Sequence, residues 1–192
     1  SILNKDPFYY YSLCAWLSLA LIIFFVLIIF KIPTYGRHAP KSGLLLNNRL
    51  GWFLMEVPTI ILMPYFFFTG NLSPNSVTFC FFGLYMIHYI NRTCIFPFRL
   101  RFKKHKIPFQ IVISACFFNL CNTYFLGYYF GNLAQGYEST WFYSPCFITG
   151  IIIFLIGMYI NQQSDYILIN LRKNSQDDYK IPFGGLFRYI SC

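Results

Sequence analysis

Five stretches of the chain are almost continuously apolar, and the polar residues gather between these stretches instead of alternating with apolar ones inside them. The runs cover about 11–30, 51–68, 77–95, 108–130 and 145–160, each near the roughly 20 residues that a helix needs to cross a bilayer. This pattern predicts an all-α, polytopic membrane helix bundle with a single domain over 1–192. The first run is nearly pure Leu, Ile, Phe and Val after Trp16. It is too long for a signal-peptide core and no small-residue cleavage site follows it, so it is expected to stay as an anchor. The second run is interrupted by Glu56, Pro58 and Pro64. The fifth continues as a polar, helix-like stretch to about residue 171.

Composition agrees with this pattern. The chain is 57% hydrophobic, 22% aromatic and only 11% charged, whereas a soluble domain carries about a quarter charged residues. Lys and Arg outnumber Asp and Glu by 15 to 6, a formal +9. A nucleic-acid binder would gather that excess on one water-facing patch; here it falls between apolar runs, and no nucleic-acid partner is expected. Fourteen of the 15 basic residues, all but Lys5, lie in alternate connections: 31–50, 92–106 and the tail after 160. The connections 69–76 and 131–144 have none. The positive-inside rule then predicts a lumenal amino terminus and cytoplasmic basic connections. Seven cysteines, an odd number without a C-x-x-C pair, give neither a disulfide framework nor a metal site. They are expected to be reduced packing residues in hydrophobic interiors. The sequon Asn71-Leu-Ser73 falls on the predicted lumenal side with Pro74 against its use, and Asn91-Arg-Thr93 falls inside a span.

Polar groups within spans are costly and mark candidate sites. Glu56 lies about one and a half turns in from the cytoplasmic end of the second span. His88, Tyr89 and Arg92 lie in the cytoplasmic half of the third, and Asn119 and Asn122 share one face of the fourth. Asn161, Asp165 and Arg172 share a face beyond the fifth. Each alone has a plainer reading: Tyr89 as an interfacial aromatic, His88 as a packing residue, Asn122 as a helix-to-helix contact. Four helices bringing polar groups to one depth argue for a buried site entered from the cytoplasm. A protonated carboxylic acid and a phenol in apolar surroundings can donate hydrogen bonds to a developing oxyanion. Arg and Asn near the cytoplasmic face suit a phosphate-bearing cofactor. No Walker loop, G-x-G-x-x-G or nucleophile elbow is present. From the residues alone, the reading ends at an intramembrane site for a lipid-like substrate.

Several motifs at these positions carry a family resemblance. They are Y-G-R-H at 35–38, W-F-L-M-E-V-P at 52–58, H-Y-I-N-R-T at 88–93 and F-N-L-C-N at 118–122. G-M-Y-I-N-Q-Q-S-D-Y-I-L at 157–168, L-R-K at 171–173 and Y-K-I-P-F-G-G-L-F-R-Y-I-S at 179–191 follow in order. Together they resemble the steroid 5α-reductase family, in both its animal and its plant brassinosteroid branches. Met55 matches the plant form, where animal members usually have Gln, and Phe96 replaces a common Tyr. The resemblance implies NADPH-dependent reduction of the C4–C5 double bond of 3-oxo-Δ4 steroids in the endoplasmic reticulum membrane. Glu56 and Tyr89 would polarise the 3-keto oxygen. Arg92, Asn161, Asp165, Arg172 and Tyr179 would contact the cofactor, and Tyr35, Trp52 and Asn122 would wall the substrate pocket. It also implies seven spans with cofactor contacts in the last part, so the 192-residue chain, with five, is expected to be a truncated piece that is inactive alone. The alternatives are a non-catalytic truncated isoform, a reductase of another enone lipid such as an enoyl thioester, and a channel or carrier.

Overall fold

The computed structural model describes residues 6–30, 44–100, 106–171 and 181–190. Helix α1 is Pro7–Phe30, strand β1 Leu45–Asn47, helix α2 Asn48–Thr69 and helix α3 Ser76–Ile90. A π-helical turn, Asn91–Ile95, leads into the short helix α4, Phe96–Arg99. Strand β2, Lys106–Pro108, precedes helix α5, Phe109–Tyr128, and helix α6 is Pro145–Leu171. Among the described residues four helical segments are long and apolar enough to cross a membrane: Pro7–Phe30, Asn48–Thr69, Phe109–Leu133 and Pro145–Leu171. Helix α3 has 15 residues, about 22 Å of rise, and the π turn and α4 carry it further. The protein is an all-α polytopic membrane protein, and the two-stranded ribbon is an addition that the hydrophobic pattern did not announce.

Local signals set the boundaries. The Asn47 side chain caps α2 by accepting from the Arg49 and Leu50 N–H groups. Asn75 caps α3 in a box in which its own N–H donates in return to Thr78 Oγ1 at 2.9 Å. Pro58 and Pro64 both lie inside α2 without ending it, because neighbouring helices in a membrane bundle can satisfy the carbonyls that a proline frees. The π turn has a similar origin. Pro97 offers no N–H to the turn before it, and the Phe96 N–H bonds the Asn91 carbonyl five residues back.

The centre is a parallel pair, α2 against α5. Strands β1 and β2 pair antiparallel, Leu46 opposite Ile107, so both helices start from one level. At the far ends Gly70 lies against Gly131, where the Leu72 N–H donates to the Gly131 carbonyl at 2.8 Å. A Cβ on Gly131 would run into the Phe66 carbonyl, so the close approach requires glycine. The stripe Gly51, Met55, Thr59, Met63 and Phe67, one residue every four, forms the buried face of α2. The cysteines depart from expectation. Of the six described, none is buried: Cys14, Cys94 and Cys146 are exposed and Cys80, Cys116 and Cys121 half-buried. A helix in lipid has apolar residues on its outer faces too, so an apolar run does not distinguish a packed thiol from a lipid-facing one.

Candidate active site

Glu56 sits one position past Met55 in the α2 stripe and is 8% exposed. Its Oε2 accepts from Asn119 Nδ2 of α5 at 3.1 Å, and the same nitrogen donates to the Met55 carbonyl at 2.7 Å. Its Oε1 lies 3.5 Å from Arg92 Nη2, long for a charge-assisted bond. Arg92 comes from the π turn, with its guanidinium 4.5 Å from the Trp52 ring centroid and 4.9 Å from that of Phe96. The two rings meet edge to face at 5.0 Å. The other side of the guanidinium reaches α6, where Arg92 Nη1 is 3.8 Å from Asp165 Oδ2. That is ion-pair range but beyond a hydrogen bond, and Asp165 Oδ2 and Thr93 Oγ1 are buried without a hydrogen-bond partner among the described residues. Arg99 Nη1 approaches Gln162 Oε1 at 3.5 Å one turn before Asp165.

The aromatic side of the site belongs to α3. The Tyr85 and Tyr89 rings lie 4.4 Å apart, as residues four apart on a helix can. Tyr85 shares a 2.8 Å hydrogen bond with Thr123 Oγ1 of α5. Tyr89 lies beside Asn122 and close enough to Glu56 and Arg92 to feel their charges. His88 meets Tyr89 edge-on at 5.1 Å. From Tyr85 an apolar cavity of about 330 Å³ opens between α2, α3 and α6, walled by Met63, Phe81, Leu84, Trp141 and Phe147. Tyr85 thus belongs both to the polar cluster and to an apolar chamber.

Of the expected site residues, Glu56, Trp52, Tyr89, Arg92, Asn122 and Asp165 come together from five elements, α2, α3, the π turn, α5 and α6. Asn161 is half-buried on α6 one turn before Asp165, and its side chain makes no hydrogen bond among the described residues. Tyr35, Arg172 and Tyr179 lie outside the described residues. The sequence reading counted Asn119 among the converging polar groups without giving it a specific role, noted Phe96 only as a departure from the family pattern, and did not single out Tyr85 or Thr123. A faint signal existed for two of them: Tyr85 is one turn from Tyr89, and Asn119 one turn from Asn122. The described residues hold no group of three His, Cys, Asp or Glu placed to hold a metal ion.

Comparison with known proteins matches residues 105–192 to the family model described as 3-oxo-5-alpha-steroid 4-dehydrogenase. The steroid 5-alpha-reductase DET2 of Gossypium hirsutum is 33% identical over 193 residues, covering 98% of this chain and 74% of the relative. The 3-oxo-5-alpha-steroid 4-dehydrogenase 1 of Mus musculus is 40% identical over 165 residues, covering 82% of this chain and 62% of the relative. The DET2 of Arabidopsis thaliana is 36% identical over 175 residues, with 87% and 66% covered. The chain belongs to the 3-oxo-5-alpha-steroid 4-dehydrogenase family. It spans less than two thirds of the length of the mouse relative. This is a family of oxidoreductases acting on a CH–CH bond of a steroid, and membership implies a nicotinamide cofactor. The residues present fit such a group. Asp165 Oδ2, a buried acceptor without a hydrogen bond among the described residues, faces Arg92, with Gln162 one turn before it beside Arg99. An acceptor of this kind suits an amide or hydroxyl donor, and the guanidinium groups suit phosphate.

Proposed function

We propose that this family member uses NADPH to reduce the C4–C5 double bond of a 3-oxo-Δ4 steroid in the endoplasmic reticulum membrane, with the ketone oxygen held between Glu56 and Tyr89. The observation that carries the reading is the Glu56 carboxyl, 8% exposed. It is held by Asn119 on one oxygen and only loosely by Arg92 on the other, in the layer next to an apolar chamber of about 330 Å³. Such a chamber takes a hydrocarbon body, and the polar layer takes its one polar end.

When bound, the reduced nicotinamide supplies one hydride, and a proton from the medium completes the two hydrogens added across the double bond. The chain's own residues prepare the enone for this. The Tyr89 hydroxyl and the Glu56 carboxyl donate to the ketone oxygen, drawing electron density towards it and leaving C5 electron-poor. Charge then develops on that oxygen, inside a site from which Trp52, Phe96 and the chamber walls exclude water. Arg92, Asp165 and Asn161 would hold the cofactor on the α6 side, together with Arg172 and Tyr179. The basic connections before α2 and α5 would face the cytoplasm, on the side from which NADPH reaches the site.

The test is NADPH-dependent reduction of radiolabelled testosterone, progesterone and campestenone by microsomes expressing the chain within its natural transcript. Tyr89→Phe removes a donor to the oxyanion and Glu56→Gln replaces the acid proton with a weaker amide donor, and each is expected to lower turnover, by about 100-fold for Tyr89→Phe. Turnover that survives both substitutions would remove these residues from the reaction, and no turnover of any enone by the parent would remove the reading itself.

A further inference from the structure

We propose that Asn119 is a positioning residue for Glu56: its amide fixes Oε2 as an acceptor and leaves Oε1 as the oxygen that meets a ligand. This rests on the reading of Glu56 as the group that polarises the ketone, and it adds which atom does so and what holds it there.

The geometry leaves the amide one orientation. Asn119 is 7% exposed, and its Nδ2 lies 2.7 Å from the Met55 carbonyl and 3.1 Å from Glu56 Oε2. A backbone carbonyl can only accept, so the group facing it must be the NH2, not the amide oxygen. The two hydrogens of that nitrogen are then both assigned, one to Met55 and one to Glu56. Turned over, the amide would set oxygen against oxygen at both contacts. The contact with the Met55 carbonyl ties α5 to the backbone of α2 beside the carboxyl.

The two oxygens of Glu56 are therefore unequal. Oε2 is tied to α5 through a side chain that is itself tied to backbone. Oε1 has only the 3.5 Å contact to Arg92, whose guanidinium also has Asp165 at 3.8 Å. A carboxylic acid whose Oε2 accepts from an amide carries its proton on Oε1, where it can be donated to a ketone. A glutamate left to its own rotamers would lose much of that aim, since a displacement of about 1 Å at a reacting group can cost 100-fold in rate.

A double-mutant cycle separates positioning from packing. Turnover is compared in the same membranes for the parent, Asn119→Leu, Glu56→Leu and the double variant. The expectation is that Asn119→Leu lowers kcat by about 100-fold with little change in KM. In the Glu56→Leu background it should lower kcat no further, because no side-chain oxygen is left for the amide to hold. Equal fold losses in both backgrounds would overturn the proposal and leave Asn119 as a packing residue. Asn119→Ala, which has no donor, takes the place of the Leu variant in the cycle if the latter does not accumulate. A second readout needs no turnover: the infrared bands of the Glu56 side chain, assigned by subtracting the spectrum of Glu56→Gln. They should shift in Asn119→Leu, and bands that stay in place would overturn the proposal in an active protein. Shifted bands in a protein inactive on every enone would sustain the contact and sink the proposed reduction instead.

Discussion

Arg92 shows how much one residue holds in this molecule. It stacks on Trp52 and Phe96 and lies between two acidic side chains from different helices, Glu56 at 3.5 Å and Asp165 at 3.8 Å. Removing it leaves buried Asp165 without its cation and Glu56 Oε1 without its contact. Arg92→Leu is therefore expected to lower stability by about 2 kcal/mol, read as an earlier thermal transition in detergent or nanodiscs. Arg92→Lys keeps a charge but loses the planar fork that serves two acceptors and the face that stacks, so it should restore only part of that loss. Full recovery with Lys would mean that charge alone matters at this position. Glu56, Arg92 and Asp165 were legible in the sequence because an ionisable group in an apolar run is costly enough to need a reason. Asn119 was not, because a neutral amide in a span has many uses, and only the contact with Met55 and Glu56 selects one.

At the scale of elements, α1 shows how a mostly lipid-facing helix is attached. At its start Asp6 Oδ1 accepts from the Tyr9 N–H at 2.9 Å, and Asp6 Oδ2 accepts from the Tyr128 hydroxyl of α5 at 2.7 Å. The Tyr9 hydroxyl donates to the Phe125 carbonyl at 2.9 Å, and its ring stacks on Tyr128. Further along, Trp16 packs on Phe117 and Phe118. The Tyr9 N–H and then the Tyr128 hydroxyl hold the Asp6 carboxyl below its ordinary value of 3.8. A lowered folded value means that Asp6 contributes to docking above about pH 3.8, and that the contribution is lost as pH falls through the lowered value. With Trp52 and Trp141 replaced by Phe, Trp16 fluorescence should stay constant from neutral pH down to that range and change below it. Asp6→Asn should abolish the acid transition. A transition that survives the substitution would assign it to another group. The apolar run foretold this helix, but its partner on α5 is set by residues more than a hundred positions away in the chain.

Over the whole molecule, the ends of the helices sort by charge. The ribbon brings the connections preceding α2 and α5 together, and these are the basic ones. The connections without basic residues meet at the other end, where Asn71 bonds Asn132 and the Asn75 side chain donates to the Tyr137 carbonyl at 2.8 Å. If the basic end is cytoplasmic, as proposed, a glycosylation sequon engineered on an inserted spacer between Tyr137 and Ser139 should be modified in microsomes. The same cassette at 101–105 should stay bare, and the reverse result would invert the topology. The sequence by itself determined the bundle, the helix positions to within a few residues and the alternation of charge, because transfer into lipid and the positive-inside bias act on each segment almost independently. It also placed Glu56, Tyr89, Arg92 and Asp165 at a common depth, since depth follows from position along a span. Tertiary structure alone decided which faces met. The ribbon, the Gly70–Gly131 contact, the chamber beside Tyr85 and the grip of Asn119 on Glu56 all depend on how helices rotate about their own axes. In lipid an apolar face gives no preference between a neighbouring helix and the membrane, so that rotation is set by small residues and hydrogen bonds between segments far apart in the chain.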